Sequence, residues 1–111
     1  MKKILCAVIF GICISTANAI TISGNGNISC GKYLSDLDEK KVLSLVNASW
    51  MSGYMSGLNL GLNSDEKGDY LEGTDANAIW AAVTKYCNDN PLSTLAAACY
   101  DAAFQLILKN K

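Results

Sequence analysis

From Val42 to Ser64 the chain carries no charged side chain, yet Ser44, Asn47, Ser49, Ser52, Ser56 and Asn59 interrupt the stretch and Gly53, Gly57 and Gly61 dilute it. No other segment limits the fold as strongly. A charge-free run of this length is long enough for a bilayer span, which takes about 20 apolar residues. Exposing so many polar groups to hydrocarbon is costly, so the segment reads as a core helix and no stable membrane insertion is expected. Val42, Leu43, Leu45, Val46, Trp50, Tyr54, Met55 and Leu58 supply an apolar face at three- to four-residue spacing. Ser35 is the expected cap, with acids in the first turn, and the helix is predicted from about Asp36 to about Leu60. The three glycines lie four residues apart and Ser49 extends their row, which predicts a groove where a neighbouring helix approaches closely. Without such packing each glycine costs the helix about 1 kcal/mol.

Two further helices follow. Thr74 or Asp75 caps one over about Asp75 to Asn88, with Ala76, Ile79, Trp80, Val83, Tyr86 and Cys87 on one face. Asn88-Asp89-Asn90-Pro91 breaks it. Asn90 is expected to cap the last helix, with Pro91 at its first position and Leu92, Leu95, Ala96, Cys99, Ala102, Ala103, Leu106 and Ile107 along its apolar stripe. Lys109 and Lys111 suit its negative end. The short connection makes these two helices antiparallel neighbours. Between the first two helices, Asn63 to Gly73 reads as a solvated acidic loop and as the candidate mobile element. Its spacing is close to a calcium loop. However, Lys67 stands where an acidic ligand belongs and Thr74 where the bidentate Glu belongs, so it is not read as one.

The amino terminus reads as an address. Lys2 and Lys3 precede an apolar run to about Ile14, and Ala17-Asn18-Ala19 matches a signal-peptidase site. Residues 1–19 are therefore assigned as a secretory signal peptide cleaved after Ala19, of bacterial character, with the periplasm as destination. Residues 20–111 then form a single helical domain, of which 20–34, with its Gly24-Asn25-Gly26-Asn27 turn signal, is expected to be an irregular arm. Losing two lysines with the leader leaves seven against ten acids, a net charge of −3.

Cys30, Cys87 and Cys99 stay in the mature chain. In an oxidising compartment two of the three are expected to pair. Cys30–Cys87 is favoured because both sit at element ends, where main chains approach without distortion; Cys30–Cys99 remains open. Cys87–Cys99 would only tie one helix end to the middle of the next. Cys99 lies on an apolar face and reads as a small buried hydrophobe. The fold class expected is all-α, a small disulfide-stapled bundle of three to four helices.

Composition removes several chemistries. There is no His, the commonest general base and metal ligand, and every basic residue is Lys. Without the Arg fork, and with a net negative mature chain, no nucleic-acid role is expected. Three cysteines without His do not make an ordinary zinc site, and no activating base stands beside a candidate nucleophile. A non-enzyme without metal or cofactor is expected. Trp50, Tyr54, Trp80 and Tyr86 are a candidate binding cluster, although aromatics at helical spacing more often belong to a core.

Cys30-Gly31-x-Tyr33-Leu34, Trp50-x-x-Gly53-Tyr54-x-x-Gly57-x-Asn59, Trp80 and Tyr86-Cys87-x-x-Asn90-Pro91-Leu92 follow one another in an arrangement that resembles small periplasmic helical proteins. The resemblance is to the HdeA/HdeB-like acid-stress chaperones and to the Rap/Tai immunity proteins, and it runs from about Cys30 to Leu108. The HdeA-like pattern implies a Cys30–Cys87 disulfide. Two functions follow from the resemblance. The first is an immunity or inhibitor protein that neutralises a periplasmic effector or cell-wall enzyme. It would bind that protein partner through the acidic loop, with Asp65, Glu66, Asp69, Tyr70 and Glu72 as candidate contacts. The alternative is an acid-stress chaperone for unfolded clients. A homodimer is compatible with either.

Overall fold

The computed structural model describes residues 21–39, 41–63 and 68–109. The expected leader, residues 1–19, lies outside them. The chain is all-α. A 3-10 turn, Gly24–Asn27, precedes α1 (Cys30–Glu39), α2 (Lys41–Asn63), α3 (Ala76–Asp89) and α4 (Leu95–Lys109). Among the described residues the only extended pairing is one antiparallel bridge, Ser29 with Thr94.

The first helix begins earlier than expected. Ser29 Oγ accepts the Lys32 N–H at 3.1 Å, so Ser29 is the cap and Ser35 lies inside α1. The arm is thus irregular only as far as Ile28. The predicted single helix over 36–60 is two helices. In one continuous helix Asp36 and Asn47 would stand about 16 Å apart, yet Asn47 Nδ2 donates to Asp36 Oδ2 at 3.1 Å. The chain doubles back between them, and α1 packs beside α2.

The last two helices hold with one shift. Asp75 caps α3 by accepting the Ala78 N–H at 2.8 Å. Asn90 does not open the next helix. It closes α3, its backbone N–H and its side-chain Nδ2 both donating to Tyr86 O. Pro91 and Leu92 sit in a turn, Leu92 is 97% exposed, and Thr94 caps α4 by accepting the Ala97 N–H at 3.2 Å. Asn side chains serve either end of a helix, and here the Asn90 amide adds a second hydrogen bond to the Tyr86 carbonyl.

The core gathers Cys30 and Tyr33 of α1, Met51 and Met55 of α2, Val83 and Cys87 of α3, and Leu95, Ala98, Cys99, Ala102 and Ala103 of α4. The small residues of α4 let α3 lie close against it. Cys30 and Cys87 form the disulfide, joining the start of α1 to the end of α3 across 57 residues. The same junction is sewn by backbone. Cys30 and Gly31 donate to Ser93 and Pro91 carbonyls at 2.7 and 3.0 Å, and Leu95 N–H donates to Ile28 O at 3.0 Å. These bonds satisfy donors that a helix start otherwise leaves open.

Candidate interaction surfaces

The acidic segment is not a loose loop where it is described. Asn59 of α2 donates from Nδ2 to Asp69 Oδ1 at 2.8 Å and accepts the Tyr70 N–H on Oδ1 at 3.1 Å. Asp69 Oδ1 also accepts the Leu71 N–H at 3.0 Å. Tyr70 is 4% exposed and its hydroxyl donates to Met55 O at 2.8 Å. Burial pushes its phenol up to about 12. Tyr70 therefore plugs the turn into the bundle and is not displayed, which corrects its place among the contact candidates. The reason is its apolar ring, which α2 can cover while the Met55 carbonyl takes the hydroxyl on its second lone pair. Asp69 and Glu72 are exposed; Asp65 and Glu66 lie outside the described residues. The expected mobile element is, over 68–73, a turn riveted to α2. Asn59 supplies the rivet, and among several similar polar residues of α2 nothing in the sequence singled it out.

Trp50 and Tyr54, one helical turn apart on α2, stack with ring centroids 5.1 Å apart. Trp50 Nε1 donates to Ser23 O at 2.8 Å, and the 3-10 turn lies across the indole so closely that a Cβ at Gly26 would collide with the ring. Between residues 21–23 and Ser49, Trp50, Gly53 and Tyr54 runs an open cleft of about 350 Å³. Trp80 and Tyr86 pack on the core from α3, and Tyr86 shares a hydrogen bond with Ser93. The four aromatics are thus chiefly packing residues.

The glycine row does not form the expected helix-packing groove. A Cβ added at Gly53, Gly57 or Gly61 would meet nothing within 4 Å. The row faces away from Asn47, Met51 and Met55, which carry the buried side of α2. Val42, Leu45, Val46 and Leu60, expected or adjacent to the core face, are exposed with it. The 3–4 spacing is ambiguous here because apolar side chains occur on both sides of α2, and periodicity alone cannot say which side is inner.

A polar hub joins three elements behind this surface. Buried Asp36 accepts from Lys32 Nζ at 2.7 Å and from Asn47, and Asn47 Oδ1 accepts from Asn25 Nδ2 at 2.9 Å. Cys99 is a fully buried free thiol whose burial pushes it up to about 12, so it is a neutral core group at physiological pH. Among the described residues no group of three His, Cys, Asp or Glu is placed to hold a metal ion, and no helix is long and apolar enough to cross a membrane. Compared with protein families, with curated proteins and with solved structures, the chain matches none.

Proposed function

We propose that this chain is a non-enzymatic binding protein of the periplasm, of the immunity or inhibitor type, that neutralises an effector or cell-wall enzyme through its acidic turn. One observation carries this reading: the turn is pre-formed. Tyr70 and Asn59 fix its backbone, while the Glu72 carboxylate stands in solvent. A segment already ordered loses little conformational freedom on binding, which is how inhibitory loops gain affinity. Its acids suit a cationic cleft. The disulfide is of the kind that oxidising compartments preserve.

The test is capture from periplasmic extract followed by titration of the captured enzyme. A single stoichiometric partner, losing activity on binding, is the expected result. Glu72→Lys should weaken its affinity about tenfold with the melting temperature unchanged. An empty capture, or a partner that binds the variant equally well, counts against the acidic turn.

A second reading, the acid-stress chaperone, draws on the Asp36 hub. Protonating that carboxylate would remove its ion pair with Lys32 and loosen α1 from α2. Suppression of client aggregation at about pH 3 would support it, and unprotected clients at that pH would remove it.

A further inference from the structure

We propose that Asn25 is a modification site, where the side-chain amide is converted to an acid each time the 3-10 turn stays off the bundle long enough, and where the product cannot be seated again. Asn25-Gly26 is the one Asn-Gly pair of the chain. In such a pair no side chain on the second residue shields its backbone nitrogen. That nitrogen attacks Asn25 Cγ. A C–N bond forms, a five-membered imide closes, and ammonia leaves with the proton that the nitrogen gave up to solvent. Water then opens the imide at either carbonyl. The product is aspartate at 25 or its isomer, in which the main chain runs through the side-chain carboxyl. Water is taken up and ammonia released, and no other reactant is needed.

The fold itself demands this labile pair. Gly26 is buried beneath Trp50, and a Cβ there would collide with the indole and with Ile22. Asn25 is demanded by the polarity of the hub. The Asp36 carboxylate, paired with Lys32, accepts only, so Asn47 turns Nδ2 toward it and presents Oδ1 to the turn. Residue 25 must therefore donate, and Asn25 Nδ2 does so at 2.9 Å.

The same contacts shield the amide while the protein is folded. Closing the imide requires Asn25 to swing out of helical backbone geometry until Cγ meets the Gly26 nitrogen. The turn resists that swing. Asn25 O accepts the Ile28 N–H at 3.2 Å, Trp50 Nε1 donates to Ser23 O at 2.8 Å, and the indole covers Gly26. Conversion thus runs through the detached turn, at a rate set by how often it detaches. The product then prevents return. A carboxylate at 25 sets oxygen against Asn47 Oδ1, and turning the Asn47 amide over moves the clash to Asp36. The isomer lengthens the main chain beneath the indole, where there is no room for it.

This inference does not rest on the acidic turn. Purified protein is held in mildly alkaline buffer, folded or in guanidinium chloride, and its peptides are read by mass spectrometry for conversion of amide to acid. Conversion at Asn25 should be about tenfold or more faster in denaturant. Asn47→Ala, which releases the Asn25 amide, should convert faster than the unaltered protein without denaturant. Asn25→Asp, which reproduces one product, should melt about 5 °C or more below the unaltered protein at neutral pH. Equal rates in the folded and denatured chain overturn the proposal, and need no variant to be measured. So does conversion at other asparagines in preference to Asn25, a folded Asn47→Ala protein that converts no faster, or an Asn25→Asp protein that melts with the unaltered one.

Discussion

At the scale of single residues, the decisive side chains are polar ones inside the fold. Asn47 both donates to Asp36 and accepts from Asn25, so it holds α1, α2 and the 3-10 turn together. Asn47→Leu should remove the hydrogen bonds to Asp36 and Asn25 and cost about 2–3 kcal/mol in a denaturant melt. The sequence did not reveal this, because α2 holds many Ser and Asn and only tertiary structure chooses among them. Ser29 and Ser35 were likewise equal as caps by residue type, and the disulfide junction decided for Ser29. Cys99 was legible as a buried hydrophobe, and its chemistry follows. Its thiol should resist alkylation in the native protein and react at once in denaturant, as mass spectrometry would read. Because the folded-state pKa is raised from 9.0 to about 12, the neutral form favours the fold. That contribution is full below pH 9 and is lost as pH rises toward 12. Tyr70, raised from 10.0 to about 12, acts with the same sign over the upper part of that window. Melts followed from pH 8 upward should show this alkaline loss, and Cys99→Ala should make it shallower.

Among the elements, α3 was read nearly whole, since a cap, an amphipathic face and a proline-marked end all agreed. The divide between α1 and α2 was not legible. Asp36-Leu37-Asp38-Glu39 contains neither Pro nor Gly, and the reversal is set by contacts made across it. Nor could the pattern of α2 tell inside from outside. Gly61 tests that point. It lies in a helix with open space where a Cβ would go. Gly61→Ala should therefore raise stability by about 0.5–1 kcal/mol, or some 4 °C in melting temperature; a loss instead would mean the space is filled by something else.

For the molecule as a whole, the fold class and the disulfide pairing were both within reach of the sequence. Helical periodicity and cysteine placement restrict a chain of this size to few options. The Cys30–Cys87 link closes a 57-residue separation and should contribute about 4 kcal/mol at most. Urea melts with and without reductant would measure it, and coincident curves would show that the bundle stands without its staple. The junction it completes also imposes an order of events. Residues 28–31 are fastened to residues 91–95 as well as to Cys87. Ribosomes deliver the amino terminus first, so the opening segment must wait for nearly the entire polypeptide before it finds its seat. During that wait Cys30 is open to Cys99 as well as to Cys87, and pairing with Cys87 is favoured once α4 has tucked Cys99 into the core.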